Sequence, residues 1–394
     1  MNMKKFLLVL VSLIAVCASA QEHSQGSKVV CGPYLQNVTT DGFTVMWISD
    51  VDAMAWVEVA PDDGQSFYYA DRPKFYDMSG YGIKPVNKVH KVRVSGLDPG
   101  TRYRYRIMMK AIDKYYIFWD ISYGHEYGAN VYSAEPPVVK TLETSYKEVN
   151  FAVVNDIHEK DSLFRRLFSD PVATRKNDFI FFNGDMTSSV TSADKIVKYD
   201  LIPACELFAA ELPFYMSRGN HEFRGRDAIR LPEYFDFPEH GPYYTFKYGK
   251  FFFLVMDSGE DKPDNDIEYQ DVLCTDPYLR AEAEWIKDVV ASEDWKNAER
   301  RIVFSHIPPQ IKDAWHGNWN MSNIFLPVLN DAGVDLMICG HRHKYAFEQV
   351  GVSDASFPVL VNSTCERADI KVTPKAITID IYDTSGKKVH SVKL

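Results

Sequence analysis

Two hydrophobic rhythms divide the chain. From Lys28 to about Thr144, apolar residues recur at every second position in short runs. Phe43, Val45 and Trp47 alternate with Thr44 and Met46, and Val57 and Val59 flank Glu58. Tyr103, Tyr105 and Ile107 alternate with Arg102, Arg104 and Arg106, after the turn-like Leu97-Asp98-Pro99-Gly100-Thr101. Alternation with turns between predicts the strands of a β-sandwich. Tyr115 to Trp119, with Tyr123 and Tyr127, is denser in aromatics than a hairpin needs. Extra core packing is the expectation, with a sugar- or partner-binding surface as the alternative. The polar stretch Glu143 to Lys147 is read as a linker.

From Val149 the rhythm changes. Val149–Val154, Phe179–Phe182, Phe251–Met256, Arg301–Phe304 and Leu336–Cys339 are apolar runs of strand length. Helix-like stretches lie between them: Ser162–Phe168, Ile196–Phe208 and Ala281–Val290, the last with Trp285, Ile286, Val289 and Val290 on one stripe. Strands alternating with helices predict a layered α/β domain, in which ligands bind where the strands' carboxyl ends meet loops. Strands return after Glu348, at Val359–Val361 and at Ile377, Ile379 and Ile381. Gly259 to Thr275 is polar, acidic and long for a loop, and reads as a segment shaping access to the site.

The N-terminus has a rhythm of neither kind. Lys4 and Lys5 precede an apolar run from Phe6 to Val16, and Ala18-Ser19-Ala20 fits a small-x-small cleavage site. Residues 1–20 are therefore expected to be a signal peptide, and the protein to be exported to the periplasm or outside the cell. Lipidation at Cys17 is the alternative, although Val16 departs from the small residue that lipoprotein signals prefer. No other stretch approaches about 20 apolar residues, so no transmembrane segment is expected. Export permits disulfides, but Cys31, Cys205, Cys274, Cys339 and Cys365 are scattered and odd in number. Buried thiols with at most a bridge or so are expected.

Length and charge narrow the function. At 394 residues the chain exceeds the usual single-domain range, which suits the two rhythms. Its net charge of −10 argues against a nucleic-acid partner, because gripping a phosphate backbone needs basic surface. A small phosphate ester stays open, since bound metal ions can supply positive charge locally.

The chemistry-bearing residues fall directly after the apolar runs. Asp156 and His158 follow the first, and Asn183-Gly184-Asp185 follows the second. Phe214–Met216 leads to Arg218-Gly219-Asn220-His221-Glu222. Arg301–Phe304 leads to Ser305-His306, and Leu336–Cys339 to Gly340-His341-Arg342-His343. Two divalent ions about 3.5–4 Å apart need a bridging carboxylate and neutral nitrogen donors around it. Imidazole suits ions such as Zn and Fe, and oxygen donors suit harder ones such as Mn. Gly184, Gly219 and Gly340 are expected to make the tight strand-to-loop turns.

Asp-x-His, Gly-Asp, Gly-Asn-His-Glu, His and Gly-His-x-His, in this order, resemble the signature of calcineurin-like metallophosphoesterases. With the strands ahead of them, and the opening Gly32-Pro33-Tyr34-Leu35-Gln36, the chain resembles the purple acid phosphatases. The resemblance implies a fibronectin type III-like β-sandwich over residues 28–144. A metallophosphoesterase domain follows over 149–394, with two mixed sheets between helices in an αββα arrangement. Leu97, Pro99, Thr101 and Tyr103 resemble the fibronectin turn in which a tyrosine caps a corner. Two positions depart from the purple phosphatases. Ser188 stands where they carry the tyrosine that binds ferric iron, and His158 is a ligand of the generic metallophosphoesterases that they lack.

Carried over position by position, the resemblance implies two divalent ions, Mn, Fe or Zn. One is held by Asp156, His158, Asp185 and His343; the other by Asp185, Asn220, His306 and His341, with Asp185 bridging. A hydroxide between the ions would attack phosphorus in line with the leaving group. His221 would donate a proton or stabilise charge at the leaving oxygen. Glu222 would orient His221 or a ligand. Read from their place in the chain, Arg218, Arg224 or Arg226 beside this loop could clamp a phosphate, and His316, shortly after His306, could line the substrate pocket. The implied activity is hydrolysis of phosphate monoesters. A phosphodiesterase of the same fold is one alternative, and a non-catalytic glycan- or metal-binding surface protein is another.

Overall fold

The structure is a computed structural model that describes residues 27–238, 241–309 and 315–394. The expected signal peptide and Cys17 lie outside the described residues.

The N-terminal unit is all β. Its organising element is one 19-residue strand, Phe43–Pro61. The first half pairs antiparallel with Val29–Gln36 on one side and Asn87–Val94 on the other. The second half pairs with Arg102–Ile117 and Lys74–Tyr76. The long strand thus joins two groups of partners into one seven-stranded sheet. Phe43, Val45, Trp47, Val57, Val59, Tyr105 and Ile107 share one core, as their alternation predicts. The intervening positions are not all on a solvent face. Thr44 and Met46 are buried, because this side of the sheet lies against the α/β unit. Tyr34 Oη donates to the Tyr234 carbonyl at 2.9 Å, Gln36 Nε2 to the Phe214 carbonyl at 2.8 Å, and Tyr105 Oη to the Ala210 carbonyl at 2.6 Å. The Tyr103 hydroxyl accepts the Asp98 N–H at 3.0 Å and closes the corner between their strands.

The α/β unit holds two six-stranded mixed sheets. The first runs in the order Phe214–Ser217, Phe179–Asn183, Val149–Val154, Glu366–Val372, Ile377–Asp383, Lys388–Lys393. Its first three strands are parallel and the rest antiparallel. The second runs Tyr244–Tyr248, Phe251–Val255, Arg300–Phe304, Leu336–Cys339, Val359–Val361, Ala346–Glu348, with four parallel strands at its centre. The runs of consecutive apolar residues are explained by burial on both faces. Phe151, Val153, Phe179 and Phe181 meet Phe253, Val255 and Phe304 between the sheets. Phe181 and Phe304 stack with centroids 3.6 Å apart. Ala152, Val154, Ile180 and Phe182 face helices on the outer side of the first sheet. Phe252 and Leu254 face the helix Thr275–Ala291 and its neighbours outside the second. The layers are therefore helix, sheet, sheet, helix.

Candidate dinuclear metal centre

Stacking the sheets brings the carboxyl ends of five parallel strands to one edge. Asp156 and His158 follow Val149–Val154, Asp185 follows Phe179–Asn183, and Asn220 and His221 follow Phe214–Ser217. His306 follows Arg300–Phe304, and His341 and His343 follow Leu336–Cys339. The backbone there is strained. Asp156, His158, Asp185, His341 and His343 all have positive φ, between 48° and 69°. Left-handed backbone in non-glycine residues persists only where the surroundings enforce it, and it clusters at functional sites. Gly184 shares that conformation, at φ 83°. Gly219 and Gly340 do not, so at these two places glycine answers close approach rather than turn geometry. A Cβ on Gly219 would sit 2.3 Å from Asp185 Oδ1.

Two donor groups form around one carboxylate. Asp156, His158, Asp185 and His343 bring ligand atoms within 4.8 Å of one another, as do Asp185, His306 and His341. Asp185 belongs to both. Asn220 adjoins the second group, its Oδ1 3.1 Å from His341 Nδ1. His158 Nε2 and His343 Nε2 are 3.1 Å apart, and His306 Nε2 is 3.1 Å from Asp185 Oδ2. Asp156 Oδ1 and His306 Nε2 are fully buried and make no well-directed hydrogen bond, their nearest polar neighbours being His343 Nε2 and Asp185 Oδ2, each at 3.1 Å. Buried polar atoms without well-directed partners are costly, and a cation held among oxygen and imidazole donors would satisfy both. The residues fit a pair of divalent ions.

The electrostatics divide the imidazoles: His306 and His343 are raised beside carboxylates and hold protons that a bound cation would displace, whereas His158 and His341 are lowered. Burial disfavours charge on Asp185, but His306 and His221 outweigh it and hold the carboxyl below its ordinary range. Burial likewise opposes charge on His306, yet the Asp185 carboxylate raises its pKa to about 10. Burial lowers His158 and His341 to about 4, leaving them neutral as ligands require.

A surrounding set of polar residues fixes the ligands. His306 Nδ1 donates to the Asn183 carbonyl at 2.8 Å, which turns Nε2 towards Asp185. Asn183 Nδ2 reaches the Ile338 carbonyl of the facing sheet at 3.1 Å. Asn155 Nδ2 donates to Asp156 Oδ2 at 2.5 Å, and Asn362 Nδ2 donates to Asn155 Oδ1 at 2.8 Å. Glu222 accepts the backbone N–H groups of Asp185 and Gly219, both at 2.8 Å, and of Thr187 at 3.0 Å. It therefore holds the Asp185 loop rather than the His221 ring. The asparagines were not singled out from the sequence, and their place beside Asp156 and Gly184 after apolar strands was the available signal.

His221 stands at the edge of the cluster, its Nε2 3.9 Å from Asp185 Oδ2. Its Nδ1 donates to the Ser188 carbonyl at 2.8 Å, so Ser188 contributes backbone where a tyrosine ligand was absent. Arg224 Nη1 donates to His221 Nε2 at 3.1 Å. Glu260 and Asp261 grip the other Arg224 nitrogens at 2.6–3.1 Å.

Arg218 and His316 both have partners of their own. Arg218 has no free fork for phosphate: it bonds Asp257 at 2.6 and 2.9 Å and lies over the Phe223 ring. His316 Nε2 lies 3.1 Å from Asp276 Oδ1 and the ring stacks on Trp319, while the next residue, Gly317, donates its N–H to the Asp261 carbonyl at 3.2 Å. Residues 310–314, just before it, lie outside the described residues. The acidic segment after Gly259 does contribute to the site, through Glu260 and Asp261.

Comparison with known proteins supports the reading of this edge. Residues 149–345 match the profile of calcineurin-like phosphoesterases. No curated protein matches the chain. The purple acid phosphatase PPD1 from yellow lupin (Lupinus luteus) seeds superposes with a TM-score of 0.62 at 16% identity, covering 92% of this chain and 73% of the lupin enzyme. GAP50 of Plasmodium superposes with a TM-score of 0.44 at 14% identity, covering 63% of this chain and 89% of its own. The strand-end ligand cluster and the profile match coincide, and the chain belongs to the calcineurin-like phosphoesterase family, metal-dependent hydrolases of phosphoric esters, with an architecture like that of the purple acid phosphatases.

Proposed function

We propose that the protein is an exported phosphatase that hydrolyses phosphate monoesters at a centre of two divalent ions. Asp156, His158, Asp185 and His343 hold one ion; Asp185, Asn220, His306 and His341 hold the other. The observation that carries this is Asp185, one carboxylate common to both donor groups, beside two buried donor atoms that make no well-directed hydrogen bond. An ion pair supplies positive charge to phosphate oxygens and lowers the pKa of water towards neutrality. The chain supplies the rest. Glu222 fixes the Asp185 loop, Asn183 aims His306, and the His221 ring is held at the cluster edge with Nε2 towards the centre. His221 serves the leaving oxygen. To serve as a proton donor there, its Nε2 must itself be protonated and give up the hydrogen bond it accepts from Arg224.

The monoester preference is supported by likeness to a phosphatase that extends through both units of the chain. The N-terminal unit, residues 28–144, is taken as a fibronectin type III-like sandwich that buttresses the domain at 149–394. Its corner tyrosine and its bonds to Phe214, Tyr234 and Ala210 favour that role. Residues 1–20 direct export. Hydrolysis of a generic aryl monoester and the matching diester, each with Mn or Zn supplied, tests the preference. Faster turnover of the monoester is expected, and a clear preference for the diester would overturn it.

A further inference from the structure

Glu159 directly follows the ligand His158 but belongs to neither donor group. Its backbone is left-handed, at φ 63°. Glycine adopts that conformation freely, whereas a long side chain stays there only where its surroundings enforce it. A glutamate kept at such a position points to a task for its carboxylate.

The packing of the loops shows the task. The loop carrying His158 runs beside the loop carrying Asp185. Asp156 N–H donates to the Gly184 carbonyl at 3.0 Å, His158 N–H to the Asp185 carbonyl at 3.0 Å, and Glu159 N–H to the Met186 carbonyl at 2.9 Å. This ladder brings Glu159 to Ser188, and its Oε1 accepts the Ser188 N–H at 3.1 Å. The Ser188 carbonyl accepts Nδ1–H of His221 at 2.8 Å. Both backbone polar groups of Ser188 are therefore engaged, one by Glu159 and the other by the His221 ring. Lys195 Nζ donates to the same Oε1 at 3.0 Å and to Ser189 Oγ at 3.4 Å, which holds the carboxylate from its far side. A carbonyl can only accept, so the bond to Ser188 keeps a proton on Nδ1 and leaves Nε2 facing the cluster.

We propose that Glu159 is a positioning residue for His221: through the Ser188 backbone it fixes the tautomer of the ring and the aim of Nε2 at the leaving oxygen. This rests on the phosphoesterase reading of the site. As the phosphorus–oxygen bond breaks, its electron pair stays on the ester oxygen, which takes the proton from protonated Nε2. Water supplies the oxygen that phosphorus gains. The Nδ1–H bond to Ser188 is kept before and after this transfer. An alkyl ester, whose leaving oxygen is strongly basic, needs the proton; a 4-nitrophenyl ester leaves without it.

The test compares an alkyl and a 4-nitrophenyl phosphate on metal-replete wild type, Glu159→Ala and Glu159→Gln. In Glu159→Ala the alkyl-to-aryl ratio of kcat should fall at least about tenfold, with bound metal unchanged. Glu159→Gln keeps an oxygen that accepts the Ser188 N–H, and should return the ratio to within about threefold of the wild type. Added to His221→Ala, Glu159→Ala should change the ratio no further, because the two residues act as one unit. A second readout needs no turnover. NMR of protein with isotope-labelled histidine, in alkaline buffer and with His221→Asn for assignment, should show Nδ1–H on His221 in the wild type and a shift towards Nε2–H in Glu159→Ala. An unchanged ratio, equal losses on both esters together with loss of metal, or an unmoved tautomer would overturn the proposal. If the wild type hydrolyses neither ester, the phosphoesterase reading fails, and the tautomer still decides whether Glu159 sets the His221 ring.

Discussion

Glu222 accepts the backbone N–H of Asp185 at 2.8 Å, so the carboxylate shared by both donor groups is held in place by a second buried carboxylate. The same side chain accepts from Gly219 and Thr187, so Glu222 fixes two of the loops that carry ligands. Glu222→Gln would turn an amide N–H towards backbone donors. Metal affinity or turnover should fall about 10- to 100-fold, the usual effect of removing a group that orients ligands. Elemental analysis after dialysis and steady-state kinetics check this.

Arg224 is positioned by Glu260 and Asp261 and donates to His221. Arg224→Lys keeps the charge but loses the fork that bonds both partners at once. A fall in kcat/KM of about tenfold is expected, with the metal content unchanged. Kinetics on metal-replete protein would show it.

Cys31 and Cys205 place their sulfurs 3.6 Å apart across the contact between the N-terminal unit and the α/β unit. Both are free thiols, and the contact with the Cys31 sulfur, reinforced by burial, pushes the Cys205 thiol well up, so reaction is slow. Under sustained oxidation the pair should cross-link, and closing so long a loop should stabilise the fold by roughly 4 kcal/mol. Peptide mapping and denaturant unfolding, with Cys31→Ser as control, measure both effects.

His90 is buried against Ser49 and Trp47, and burial lowers its pKa to about 4 from 6.5. The unfolded chain binds the extra proton between those values. Stability from His90 is thus complete above about pH 6.5 and is lost as the pH falls towards 4, by about 3 kcal/mol. Burial raises Asp77 and Asp178 to about 6, with the opposite slope over part of this window. The difference between the wild type and His90→Asn isolates the histidine term. Denaturant unfolding at several pH values should show the two converging as the pH falls.

The clustering of the candidate ligands was legible because each follows an apolar strand, and parallel strands deliver their carboxyl ends to one edge. What surrounds them was not. Asn155 and Asn362 meet across the two sheets, a contact set by sheet stacking rather than by spacing. Arg218 and Arg224 look alike beside Gly-Asn-His-Glu, and only the folded chain shows Asp257 taking the first while the second reaches His221. The same limit explains why the aromatic stretch expected in the core lies exposed. Alternation marks which residues share a side, but not whether that side meets a neighbour, as Thr44 and Met46 do, or water, as Tyr116 and Trp119 do.

The central claim is that Asp185 joins two ion sites that perform ester hydrolysis. Its most direct test is metal content and phosphate-ester turnover of the wild type and Asp185→Ala, measured on the same preparations. About two divalent ions per chain are predicted for the wild type. In the variant, bound metal should be reduced and turnover lost by several orders of magnitude. A metal-free wild type that retains activity, or a variant that turns over as fast, would contradict the account.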